Sequence, residues 1–161
     1  MYITDAAMDE PWMPGELLPY GDMKISPAAG VLNYGQGLFE GMKAYRTSKD
    51  RVVFFRPEEN ARRMQRGADR LKMPPVPESI FIDAVEQCVQ ANLRWLPPMG
   101  RGAMYVRPLL MGSGAILGVA PAPSYRFLVY VTPVGPYFKG GVTAIDLLIS
   151  EEYHRAAPGG S

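Results

Sequence analysis

Three prolines in four positions, Pro74, Pro75 and Pro77 of "MPPVP", forbid a continuous helix through the middle of this chain. Both flanking stretches have helical spacing, so the break separates two helices. Upstream, "RPEENARRMQRGADRL" opens with Pro57 at a first-turn position and sets Glu58 and Glu59 at the positive end of the helix dipole. Ala61, Met64, Ala68 and Leu71 predict its buried stripe. Downstream, "ESIFIDAVEQCVQANLRWL" puts Phe81, Ala84, Val85, Cys88 and Asn92 on one face, and "PPMGRG" closes it.

The rest of the chain is cut short by 16 Pro and 17 Gly, so strands and turns are expected there. Residues 11–30 read as turns and short strands. "MKAYR" and "RVVFFR", separated by the turn-forming "TSKD", predict a β-hairpin over 42–56. After the helices, "AMYVRPLL", "YRFLVYVTP" and "TAIDLLIS" read as three strands. Strands, two helices, then strands predict an α+β fold, a mostly antiparallel sheet with the two helices packed on one side. A length of 161 residues suits one ordinary domain.

A formal charge of +1, with 17 basic against 16 acidic residues, gives no electrostatic reason to expect nucleic acid or an anionic membrane as partner. The longest apolar run, "FLVYV", is strand-sized. One cysteine excludes an internal disulfide, and one cysteine with one histidine makes a structural zinc site implausible. The acidic start "MYITDAAMDEPW" has neither a signal region nor a transit-peptide composition, so the chain as written reads as cytoplasmic.

Three features could carry chemistry. In "NYGQGLFEGMKAYR", Gly35, Gly37 and Gly41 lack dinucleotide-loop spacing and lead into a strand, so a phosphate cradle is excluded. Turn formation and close packing remain, with a substrate-pocket floor as the alternative. In "AMYVRPLL", alternation puts Tyr105 and Arg107 on one face, a hydroxyl beside a planar fork suited to a carboxylate. The competing reading is a solvent-facing edge arginine, because Pro108 signals an edge or an interrupted ladder. Arg62, Arg63, Arg66 and Arg70 give the first helix a basic side, in which Glu58–Arg62 and Glu59–Arg63 are spaced for ion pairs; one arginine could instead reach a phosphate. His154 has no partner motif, and Cys88 reads as an inert core thiol.

Together, "LNYGQGLFEGMKAYR", "FRPEENARRM", "YVRPLLMGSGAILGVAPAP", "PVGPYF" and "HRAAPGGS" resemble the branched-chain amino acid aminotransferases, most closely the plant-type members. These are fold-type IV enzymes that use pyridoxal 5′-phosphate (PLP). The resemblance runs from about residue 14 to the last residue, with the motifs in family order. It implies amino transfer between leucine, isoleucine or valine and 2-oxoglutarate, in a homodimer. Arg63 matches the arginine that contacts the PLP phosphate. Tyr105 and Arg107 match the pair that handles substrate carboxylates, the arginine taking the side-chain carboxylate of glutamate. Phe39, Gly41 and Tyr137 match the lining of the aliphatic pocket, while Tyr34, Leu117 and Val119 match residues lent to it by a partner subunit.

In the family, the lysine that holds PLP as a Schiff base lies shortly beyond "RAxPGG", hence beyond Ser161. None of Lys24, Lys43, Lys49, Lys72 or Lys139 stands in that context, so no catalytic residue is assigned. The resemblance therefore implies a small N-terminal domain over 1–150, the start of an interdomain linker over 151–161, and a large PLP-binding domain outside this sequence. Such a segment is expected to be inactive alone. If a transit peptide lies upstream, plastid or mitochondrion replaces cytoplasm. The rival readings are a truncated, non-catalytic paralogue that dimerises with a full-length subunit, and another fold-type IV enzyme, a D-amino acid aminotransferase or aminodeoxychorismate lyase.

Overall fold

The computed structural model describes residues 1–136 and 144–153. The chain runs β1 (Tyr2–Ala7), β2 (Glu16–Leu17), α1 (Gly30–Tyr34), β3 (Gly37–Phe39), β4 (Met42–Arg46), β5 (Val52–Phe54), α2 (Pro57–Arg70), α3 (Glu78–Ala91), a short 3₁₀ turn (Leu93–Trp95), β6 (Ala103–Gly112) and β7 (Ser124–Val134). Pro57 starts α2 as expected, with Glu58 and Glu59 in the unpaired first turn. Pro77 precedes α3, and the Asn92 amide closes it by donating to the Cys88 carbonyl at 2.8 Å.

The strands form one antiparallel sheet in the order β2-β1-β7-β6-β4-β5, with β3 also on β6. At its centre β6 and β7 pair from Ala103↔Val134 to Gly112↔Tyr125. Along the other edge of β6 the register is unbroken. Phe39 pairs with Leu109 and Met42 with Val106, so Glu40 and Gly41 stand opposite Pro108 and Arg107. The ladder is interrupted where Pro108 has no N–H to give, although the Glu40 N–H still donates to the Pro108 carbonyl at 2.9 Å.

Both helices cover one face of the sheet. Met64, Ala68, Phe81, Val85 and Cys88 pack on Met42, Met104, Val106, Leu110, Phe127 and Val129, with Phe81 stacked on Phe127 at 5.9 Å. Burying each large apolar side chain contributes about 1.5–3 kcal/mol, which dominates the weak intrinsic preference of either helix. The α+β architecture expected from the sequence is the one observed.

Local details differ. Helix α1 has no signal in the turn-rich N-terminal third; five residues is too short for apolar periodicity to register. The second helix stops at Ala91 rather than Leu96, the last residues tightening into the 3₁₀ turn. Residues 144–150, expected as part of a strand, carry none, and Ile145, Leu147, Leu148 and Ile149 are exposed. The run has strand-like composition, but no pairing with the sheet forms over 144–150 among the described residues. The expected pairs Glu58–Arg62 and Glu59–Arg63 do not form. Arg62 instead reaches Glu59 at 3.1 Å and Glu78 at 3.2 Å, and Arg63 turns inward to Glu40.

Candidate functional site

Alternation along β6 sends Met104, Val106 and Leu110 into the helix-covered core and leaves Tyr105 and Arg107 on the opposite face, both half-buried. β6 is a central strand, so the solvent-edge reading of Arg107 fails. The Arg107 Nη2 donates to the Tyr105 hydroxyl at 2.7 Å. Its guanidinium carbon lies 4.1 Å from the centre of the Phe39 ring and 5.2 Å from that of Tyr105. No carboxylate pairs with it among the described residues, and its buried Nε has no hydrogen-bond partner. The cation–π contact contributes about 0.5–2 kcal/mol, whereas a buried unmade donor costs about 1–3 kcal/mol. The aromatic rings therefore hold the charge without satisfying it.

Gly41 faces this nook. A Cβ there would clash with the Tyr105 hydroxyl and come within 3.1 Å of its ring carbon Cζ. Close approach, not unusual backbone, demands the glycine. Gly35 does the other job, ending α1 in the left-handed region at φ 63°. The glycines thus serve both turn formation and a floor for packed side chains. Gly41, Lys43, Tyr45, Phe55, Asn60 and Tyr105 line a groove of about 300 Å³, at the small end of ligand cavities. A larger cleft near Asp5, Lys24 and Arg126 holds less unmet chemistry, because Arg126 donates to both Asp5 oxygens at 2.8 Å.

Arg63 comes from α2 on the other side of the β3–β4 break. Its Nε and Nη2 donate to the two Glu40 oxygens, each at 2.5 Å. The Asn60 amide adds bonds of 2.7 Å to Glu40 and 3.3 Å to the Gly41 carbonyl. The Glu40 contact pushes the Arg63 pKa above its ordinary value, against the opposing pull of desolvation. Glu40 escaped the sequence reading, although a signal was there. It shares the parity of Leu38, Met42 and Ala44, which puts an acid at a core-facing position opposite a basic helix.

Tyr34, Leu117 and Val119 form a second group. The Tyr34 hydroxyl accepts the Gly118 N–H at 2.7 Å, bringing α1 to the loop between β6 and β7. Gln36 pins that loop, its side-chain oxygen accepting Ala122 N–H at 3.0 Å and its amide donating to the Leu71 carbonyl at 3.1 Å. Leu117 and Val119 are 78% and 100% exposed, an apolar corner with no cover among the described residues. Tyr137 and His154 lie outside the described residues. Among the described residues no His, Cys, Asp and Glu cluster is arranged to hold a metal, and no helix is long and apolar enough to cross a membrane.

No protein-family profile matches the chain. Similarity to individual proteins is extensive. Branched-chain amino acid aminotransferase 2, chloroplastic, of Humulus lupulus is 56% identical over 161 residues, covering all of this chain and 40% of that protein. Branched-chain-amino-acid aminotransferase 5, chloroplastic, of Arabidopsis thaliana is 55% identical over the same 161 residues, 39% of its length. The chain thus spans about two fifths of the curated relatives it matches. Among solved structures, the branched-chain aminotransferase of the thermophilic archaeon Thermoproteus uzoniensis with norvaline shares the fold, with a TM-score of 0.61 at 24% identity over 86% of this chain and 42% of that one. A T.th. branched-chain amino acid aminotransferase with pyridoxamine 5′-phosphate superposes with a TM-score of 0.62 at 25% identity, over 88% of this chain and 42% of that one. At more than half identity over all 161 residues, and with the same antiparallel sheet and helix pair, this chain is similar to about two fifths of a branched-chain amino acid aminotransferase.

Proposed function

We propose that this chain supplies the substrate-carboxylate wall and one phosphate contact of a PLP-dependent branched-chain aminotransferase, which exchanges amino groups between leucine, isoleucine or valine and 2-oxoglutarate. The observation that carries the reading is the Arg107 guanidinium, without a carboxylate partner among the described residues, beside the Tyr105 hydroxyl. A side-chain carboxylate of glutamate or 2-oxoglutarate would fill its donors bidentately, while Tyr105 assists the α-carboxylate. With an aliphatic substrate, Phe39 and Gly41 offer apolar wall, and Arg107 keeps its charge against the Phe39 ring. One site can then take both side-chain types, because the charge is matched only when an acid arrives.

The donor set suits the cofactor's phosphate in part. The Nη1 of Arg63 has no partner among the described residues and sits on a side chain that is 62% exposed, so it can meet a phosphate oxygen. PLP, when bound, supplies the electron sink for amino transfer. This chain's own share is binding and orientation, since none of its lysines has the family's context for holding the cofactor. Tyr137 is assigned to the same pocket on resemblance alone.

The exposed corner of Leu117 and Val119, tied to Tyr34, supports a homodimer in which this corner completes the partner's pocket. It equally supports the second reading, a non-catalytic form acting by pairing with a full-length subunit. The chloroplastic and mitochondrial names of relatives support a plastid or mitochondrial setting over a cytoplasmic one. The domain division, 1–150 and a linker from 151, belongs to this proposal too.

The test is a chimera in which residues 1–161 replace the matching segment of the Humulus lupulus enzyme. Leucine-dependent conversion of 2-oxoglutarate to glutamate supports the reading. A folded, cofactor-loaded chimera that transfers no amino group from leucine refutes it.

A further inference from the structure

The Asn60–Glu40–Arg63 cluster has no role in the reading above beyond Arg63 itself, yet it commits a buried acid fully to an exposed cation. Glu40 is 4% exposed, sits at the break between β3 and β4, and receives three N–H donors, two from Arg63 and one from Asn60. Arg63 is otherwise a solvent-facing side chain on a helix surface, where a guanidinium would sample many rotamers. The bidentate contact fixes the plane of the fork and leaves Nη1 as its open edge among the described residues. Asn60 links the same carboxylate to the Gly41 carbonyl, beneath the Tyr105 hydroxyl.

We propose that Glu40 is the positioning residue of an anion anchor at Arg63, holding the guanidinium edge ready for a phosphate monoester and fixing it relative to the Gly41–Tyr105 carboxylate wall. This rests on the reading of Arg63 as a phosphate contact. The hold is geometric rather than electrostatic. The Glu40 charge by itself repels a phosphate, so its value lies in prearranging Arg63, and a carboxylate that cannot reach Arg63 gives repulsion without orientation.

The test uses the 161-residue chain with inorganic phosphate as probe, read by ¹⁵N-resolved NMR of the Arg63 guanidinium. In the wild type, Arg63 should show a slowly exchanging Nε–H, and phosphate should shift its Nη signals. Glu40→Asp keeps the charge and loses one methylene of reach. It should lose the protected Nε–H and bind phosphate about 2- to 10-fold more weakly, the range expected when one long side chain must be ordered on binding. Glu40→Gln should lose the protected signal too. Sheet amide shifts of β6 report that each variant is folded. Wild-type-like protection in Glu40→Asp overturns the proposal, as does phosphate affinity that is unchanged or higher. A wild-type chain with a protected Arg63 Nε–H but no phosphate-dependent shift overturns the phosphate reading of Arg63, and with it the anion anchor, while leaving the Arg107 carboxylate reading untouched.

Discussion

Gly41→Ala tests how closely the nook around Tyr105 and Arg107 is built. Gly41 does not occupy the left-handed region, so its backbone alone does not require glycine. Alanine would lose less entropy on folding, and by itself this would stabilise the chain by about 0.4–1 kcal/mol. Packing opposes this. The new methyl overlaps the Tyr105 hydroxyl and stands 3.1 Å and 3.4 Å from the ring carbons Cζ and Cε2. Tyr105 is half-buried on a central strand, so the ring must swing away and give up its 2.7 Å bond from Arg107. Overpacking typically costs about 1–3 kcal/mol, and the lost hydrogen bond about 0.5–1.5 kcal/mol. The net expectation is a loss of about 0.5–4 kcal/mol in urea unfolding, followed by Trp fluorescence. Tyr105→Phe removes the clashing atom, so Gly41→Ala with Tyr105→Phe should be more stable than the sum of the single changes by about 1 kcal/mol. A Gly41→Ala chain as stable as wild type, or a double mutant with no such rescue, would refute the argument that close approach to Tyr105 is what requires the glycine.

Other substitutions probe the rest of the site. Arg107→Met removes an orphaned guanidinium donor but also the Phe39 contact and the bond to Tyr105, so stability in the same assay should stay within about 1 kcal/mol of wild type, while transfer to 2-oxoglutarate in the chimera is abolished. Gln36→Ala frees the buried Ala122 N–H and the Leu71 carbonyl, and should cost about 1–3 kcal/mol and quicken proteolysis in the loop between β6 and β7. Burial pushes the Cys88 thiol pKa up, so its contribution is complete below the ordinary thiol range and fades as pH climbs through the raised value. Stability of the wild type should therefore fall more steeply than that of Cys88→Ala as pH is raised through the alkaline range. Iodoacetamide should label Cys88 only when urea opens the fold.

Much of the fold was legible because its signals are local. Pro57 and the prolines at 74, 75 and 77 set the limits of α2 and α3, and their apolar spacing marked the buried faces that Met64, Ala68, Phe81 and Cys88 occupy. The two-residue alternation of β6 put Tyr105 and Arg107 on a common face, and the Arg107–Tyr105 bond is the direct result. The 144–150 run misled because a strand-like composition does not by itself supply a strand to pair with. Ion pairing misled for a related reason. Helical spacing offered Arg63 to Glu59, but a carboxylate from another element offered better geometry and burial.

Family likeness, helix limits, strand parity and the placing of Tyr105 and Arg107 on one face were therefore written in the sequence, since each depends on neighbours along the chain. Tertiary structure alone decided that β6 is central, that Gly41 lies under Tyr105, that Phe39 covers Arg107, and that Glu40 holds Arg63. Each of these joins residues tens of positions apart through the register of β3 and β4 on β6 or the seating of α2. Such pairings are chosen by the packing of the whole sheet, and no local pattern can fix them.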